Sequence, residues 1–259
     1  MFSRGIKRCA KDTQSDPPGQ YVPVQHCVHR TDRISLRHDH APVSRQRGSS
    51  MKGVLEWTES VPVIGIDEVG RGCLAGPVVA GAVLLDRALP GVRDSKTLRE
   101  TAREKMEGTI RSGAMAYGIG RVPAGEIDAM GILPATFLAM RLAVDELLTA
   151  MGLPWAMAHT IPLRIDGPLL PDWVHQGSLP ALAIVKGDSS HPAIAAASVL
   201  AKVVRDREMR ELDAVLPGYG FGAHKGYGTR AHTEAIGALG PTAHHRMTFA
   251  PLRTGAYRN

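Results

Sequence analysis

Five short apolar runs, spaced by helix-like stretches, limit what this chain can fold into. They cover residues 61–66, 78–85, 114–122, 163–166 and 181–186, each of strand length with Gly, Pro or charge at its borders. Leu98, Ala102, Met106 and Ile110 recur every four residues, the spacing of a helix that Asp94 or Ser95 can cap. Further helices are expected over 135–151, with Pro134 near the start, and over 193–216, opened by Pro192. The Ala-Ala-Ala-Ser run at 195–198 permits close packing of that last helix. Three early strands, then strand and helix in alternation, give an α/β fold with a mixed sheet flanked by helices. No run approaches the roughly 18 apolar residues of a membrane span, so none is expected.

The first 55 residues read differently. Residues 1–50 hold nine of the chain's 31 Lys and Arg and four of its 25 Asp and Glu, a net of +5 out of +6 for the whole. The basic balance belongs to this stretch and is no argument that the body binds nucleic acid. Its apolar residues are isolated and without period. That reads as a disordered basic tail or a misassigned start, Met51 standing just before the organised part. Cys9, Cys27, His26, His29, His38 and His40 match no paired zinc spacing. The body is then 56–259. Its single cysteine, Cys73, gives no disulfide framework, and the N-terminus lacks the apolar core of a secretory signal, so a cytoplasmic protein is expected.

Three of the strands lead into carboxylates. The first runs into Gly65-Ile66-Asp67-Glu68-Val69-Gly70-Arg71-Gly72, the fourth into Asp166-Gly167, and the fifth into Lys186-Gly187-Asp188-Ser189. Each alone has a plain explanation: an acidic pair in a surface turn, a turn-initiating Asp before Gly, a loop Asp or helix cap. Their coincidence at three strand ends points to one acidic site. Adjacent strand residues face opposite sides, so Asp67 and Glu68 can share it only where the strand ends or bulges. Clustered acids repel one another, and hard divalent cations relieve that while binding carboxylate, water and phosphate oxygens. Two such ions about 4 Å apart can activate a water and stabilise the leaving oxygen of an in-line displacement.

Cations and small residues complete the set. Arg71 lies between Gly70 and Gly72, whose backbone is open to a sugar-phosphate chain. The stretch 223–230, Ala-His-Lys-Gly-Tyr-Gly-Thr-Arg, interleaves basic residues with an aromatic. Lys225 suits a phosphate and Tyr227 the face of a sugar or base, although a solvated basic loop has the same composition. Asp94-Ser95-Lys96 is a helix start that can bind phosphate or merely cap.

Taken in order, these segments resemble the ribonuclease HII family. The resemblance rests on 65–72 with Ala75-Gly76-Pro77-Val78, Asp94-Ser95-Lys96, Glu126-Ile127-Asp128 with Ala135-Thr136, and Ile165-Asp166-Gly167. It continues through Lys186-Gly187-Asp188-Ser189, 194–202 with Arg205-Asp206, 224–229, and His245-Arg246 with Phe249. It implies a ribonuclease H-like fold, a five-stranded mixed sheet flanked by helices, with a C-terminal helical segment. It implies that Asp67, Glu68, Asp166 and Asp188 are catalytic and hold two Mn²⁺ or Mg²⁺ ions. It further implies that Gly70, Arg71, Gly72, Lys96, Lys186, Lys225 and Tyr227 contact nucleic acid, with Tyr227 stacking at an RNA–DNA junction.

The implied partners are RNA–DNA hybrids and duplex DNA carrying single ribonucleotides. The cut falls on the 5′ side of the ribonucleotide and leaves 3′-hydroxyl and 5′-phosphate ends, the 2′-hydroxyl being what marks RNA. A monomer with no membrane partner is expected, and a sliding clamp is a partner the sequence leaves open. Cys73 stands where the family commonly has proline, and Gly131 and Pro134 stand where Asn and Gln are common. The alternatives are a ribonuclease HIII-like enzyme or another structure-specific nuclease on the same fold, and a non-catalytic hybrid-binding module. The HIII type usually lacks Arg in its Gly-x-Gly and ends its acid set in Glu, so Arg71 and Asp188 favour HII. A binding module would have no use for four acids.

Overall fold

The computed structural model describes residues 55–92 and 99–257. Five strands form one sheet in the order β3-β2-β1-β4-β5. They are β1 (Val63–Val69), β2 (Val78–Leu85), β3 (Ala116–Val122), β4 (Leu163–Asp166) and β5 (Ala181–Ile184). The first three make an antiparallel meander, while β4 and β5 run parallel to β1. The sheet is mixed and five-stranded, as expected.

Two long helices cover its faces. Helix α1 (Glu100–Gly113) lies between β2 and β3 in the chain, and α2 (Ala124–Met130) leads into α3 (Ile132–Ala150). Ile64, Ile66, Leu163 and Ile165 turn to one face and pack with Ala139, Met140 and Ala143 of α3. Short helices α4 (Asp172–Gln176) and α5 (Gly187–Ser190) flank β5 and precede α6 (Pro192–Val215). Val63, Val79 and Val83 turn to the other face and pack with Ala193, Ala196 and Leu200 of α6. This is strand alternation feeding two apolar layers.

Strand glycines bring both helices close to the sheet. A Cβ at Gly120 would sit 2.6 Å from the Ala143 nitrogen of α3. One at Gly81 would sit 2.6 Å from the Ala197 carbonyl oxygen of α6. The Ala-rich start of α6 supplies the matching small surface. Helices α7 (Phe221–His224) and α8 (Arg230–Leu239) follow, and turns run on to Tyr257. Ile236 of α8, Leu252 and Tyr257 pack on Leu74, which ties the C-terminal segment to the loop after β1.

Some boundaries differ from the sequence reading. β1 continues to Val69 because β2 pairs it all the way, Val69 opposite Val79. β5 stops at Ile184, and Lys186 adopts a left-handed φ of 57° that ends the extended run. Helix α3 starts at Ile132, since Gly131 (φ 86°) both ends α2 and opens α3. Pro134 then lies in the first helical turn, where an amide has no intrahelical partner to lose. Helix α1 has Arg99 in its cap position, not Asp94 or Ser95. Those two, Lys96 and Leu98 lie outside the described residues, as does the tail over 1–54. Among the described residues no helix is long and apolar enough to cross a membrane.

Candidate active site

The acidic residues meet where β1 and β4 part. The last pair between these parallel strands is Ile66 with Ile165, so Asp67 and Asp166 come next, side by side. Both follow residues that face α3, and so both turn toward α6. Asp67 lies opposite Gly81, the glycine pressed against Ala197, and this puts it under Ser198, which hydrogen-bonds its carboxylate. Asp67 is only 5% exposed. Burial first, then the charge of Glu68, holds it well above the usual carboxylate range, and Asp166 adds to this.

Glu68 joins the site in a way the sequence reading did not anticipate. β1 neither ends nor bulges at the pair; Asp67, Glu68 and Val69 stay in register with β2. The opening is on the other edge, because β4 pairing stops at Ile66. Glu68 is raised by burial and by Asp166, and the Arg71 guanidinium, 3.2 Å away, opposes that.

Asp166 Oδ1 accepts the Gly187 N–H at 2.7 Å, which ties β4 to the start of α5. Asp188 is the next residue, 4% exposed. The fold thus brings Asp67, Glu68 and Asp166 close enough to repel one another, and places Asp188 directly after the residue whose N–H Asp166 accepts. Among the described residues no three His, Cys, Asp or Glu side chains already converge as a finished metal cage. The donor set nevertheless fits a divalent cation. It is all hard oxygen, it repels itself, and the cation that pairs with Glu68 is a half-exposed arginine.

The nucleic-acid candidates fare unevenly. Gly70 has φ +90° and its missing side chain leaves room for Arg205. Gly72 is exposed and a Cβ there would meet nothing within 4 Å, so the fold itself does not demand glycine. Arg71 is exposed beside them. Lys186 is exposed, and its carbonyl accepts both Ser189 and Ser190 hydroxyls. Tyr227 is 41% exposed, bridges to Cys73, and has Lys202 Nζ 6.0 Å from its ring centre. Lys225 turns inward instead: its ammonium bonds the Gly222 carbonyl, and burial lowers its pKa. Lys96 lies outside the described residues.

Sequence reasoning passed over several residues that build this site. Ser198 was noted only as a small residue, although it is the one hydroxyl in an alanine run. Arg205 and Arg246 appeared only as members of motifs, yet both are fully buried beneath the 70–77 loop. No local signal marks Arg205, because α6 carries charged residues on both sides of it from Lys202 to Asp213. Cys73, the departure from proline, is buried, and burial raises its thiol.

The family model described as Ribonuclease HII matches residues 64–252. A ribonuclease HII of Halorhodospira halophila is 49% identical over 194 residues, which covers 74% of this chain and 93% of that protein. The structure of a PCNA:RNase HII complex from Archaeoglobus fulgidus matches with a TM-score of 0.58 at 25% identity, over 73% of this chain and 95% of that one. Bst-RNase HIII in complex with Mn²⁺ matches with a TM-score of 0.58 at 22% identity, over 77% and 71%, a likeness of fold.

Proposed function

The chain belongs to the ribonuclease HII family and is a ribonuclease H, and from that premise we propose that it cuts the RNA strand of RNA–DNA hybrids and single ribonucleotides embedded in DNA. The cut is on the 5′ side and leaves 3′-hydroxyl and 5′-phosphate ends. We assign the catalytic domain to residues 56–259, in a cytoplasmic monomer. The observation that carries the reading is the set of repelling carboxylates at the C-terminal ends of parallel strands, directly beside an open Gly-Arg-Gly loop.

Asp67, Glu68, Asp166 and Asp188 would hold two Mn²⁺ or Mg²⁺ ions. Bound there, such ions supply Lewis acidity, an activated water and charge neutralisation at the leaving oxygen. The chain's own groups do the rest. Ser198 and the Glu68 N–H, 2.8 Å from Asp67 Oδ1, fix the Asp67 carboxylate. Gly187 fixes Asp166. Arg71 and the open Gly72 backbone meet the sugar-phosphate chain, where the 2′-hydroxyl distinguishes RNA. Tyr227 offers its exposed ring to the nucleotide beside the ribose.

The test is a DNA duplex with one embedded ribonucleotide, incubated with and without Mg²⁺ or Mn²⁺, beside an all-DNA duplex. One cut 5′ of the ribonucleotide is expected, abolished by chelation. Cleavage of the all-DNA duplex would replace this reading with a structure-specific DNA nuclease. Tight binding without any cleavage would replace it with a hybrid-binding module.

A further inference from the structure

Beneath the Gly70–Pro77 loop lie two guanidiniums that the reading above does not use. Arg205 of α6 and Arg246 of the C-terminal segment are both 0% exposed. All six of their hydrogen bonds end on backbone carbonyls. Arg205 donates to Pro77 (2.9 Å), Lys225 (2.9 Å) and Ala75 (3.1 Å). Arg246 donates twice to Gly76 (3.1 and 2.9 Å) and once to Arg71 (2.8 Å). Burying cations without paired carboxylates is costly, and a chain that needed only to close a loop has cheaper ways. Burial first, and then the facing Arg205 charge, draws Arg246 down to about 10.

The geometry of the Arg71–Gly72 peptide gives these groups a purpose. A trans peptide points its C=O and N–H in opposite directions. Arg246 grips the Arg71 carbonyl from the buried side, so the Gly72 N–H is held pointing away from it. Among the described residues that N–H has no backbone partner, and the space beside Gly72 is open. The anchor is itself held. Asp128 of α2 accepts the Met247 and Thr248 N–H groups at 2.7 and 3.0 Å, directly after Arg246. Arg205 in turn occupies the space that glycine at 70 leaves.

We propose that Arg246 and Arg205 are positioning residues for substrate: Arg246 holds the Arg71–Gly72 peptide from behind, and Arg205 braces the loop beside it at Gly70, Ala75 and Pro77, so that the Gly72 N–H is a fixed donor to the sugar-phosphate chain. This rests on the ribonuclease reading. Their two positive charges lie in a low-dielectric layer behind the donor, which favours an anionic partner there. Neither guanidinium touches the acids that act on the bond, so their effect belongs in binding.

The experiment measures KM and kcat on an RNA–DNA hybrid for wild type, Arg246→Lys, Gly72→Ala and the double variant, each with a thermal melt. Arg246→Lys keeps the charge and loses the fork. A KM rise of about tenfold with kcat within about twofold is expected for each single change. The double variant should be no worse than the worse single, because both act through one peptide. A drop in kcat at unchanged KM would mean only a smaller folded fraction and would overturn the proposal, as would effects that multiply. Arg205→Lys is run in parallel. If both lysine variants simply fail to fold, the arginines are structural and the proposal is wrong. If wild type leaves the hybrid uncut, it is the ribonuclease reading that has failed; if wild type cuts and KM does not move, only the positioning inference has.

Discussion

Asp67 shows how one residue can oppose stability and serve chemistry. Its carboxylate is buried among like charges, so the ionised form is disfavoured in the fold. Asp67→Asn removes that charge while keeping shape. We expect cleavage to fall by at least ~10²-fold, the scale of losing one preorganised group at a reacting centre. The melting temperature should be no lower than wild type, since a repelled charge has gone. Mn²⁺ should raise the melting temperature of wild type and not of the variant, by linkage to a site that only the folded state presents. Turnover near wild type at saturating Mg²⁺ would show that Asp67 holds no essential ion.

At the scale of elements, the fold depends on helices lying flat on glycine. Gly120 of β3 faces α3 with no room for a methyl, its Cβ position 2.6 Å from the Ala143 nitrogen. Gly120→Ala must push α3 off the sheet and should cost about 1–3 kcal/mol, as overpacking does. Gly108 of α1 meets nothing within 4 Å and sits mid-helix. Gly108→Ala should stabilise by roughly 0.5–1 kcal/mol through helix propensity. Chemical denaturation of the two variants checks both signs. Equal effects would mean the contact is relaxed in solution. The sequence showed both glycines equally plainly; only the packing tells them apart.

For the molecule as a whole, buried histidines contribute to the response to acid, beside Glu59 and Glu107, whose pKa values are lowered. His232 Nδ1 donates to the Tyr227 carbonyl at 2.9 Å, so its Nε2 must accept from His245 Nε2, 3.2 Å away. His245 Nδ1 accepts the Thr242 N–H at 3.0 Å. Burial favours the neutral form of both rings, and with these partners a proton on either would set two N–H groups against each other. Burial, then the charges of His232, His244 and His224, lowers His245 to about 4, and burial also lowers His232 and His191. Because the unfolded chain takes up these protons first, stability is fully present above about 6.5 and is lost as pH falls toward 4. For His245 alone this is on the order of 3 kcal/mol. The raised Asp67 acts with the opposite sign, so the loss is best read in Asp67→Asn, by thermal melts from pH 7 to pH 4. A flat profile there would mean these histidines are solvated.

Local pattern was enough to read strand and helix order and the mixed sheet, and the motifs in their order carried the resemblance to the family. Each of these depends on residues near one another in the chain: an apolar run, its period, the carboxylate or glycine at its end. What local pattern could not supply was how distant segments meet. That Glu68 reaches the site past an open β1 edge depends on where β4, a hundred residues on, stops pairing. That Ser198 holds Asp67 depends on α6 settling onto Gly65 and Gly81. That Lys225 turns inward, and that Arg205 and Arg246 carry the Gly-Arg-Gly loop from below, depends on carbonyls and clefts made by the closed fold. Side-chain direction and burial are properties of the packed chain, and a linear pattern of types cannot state them.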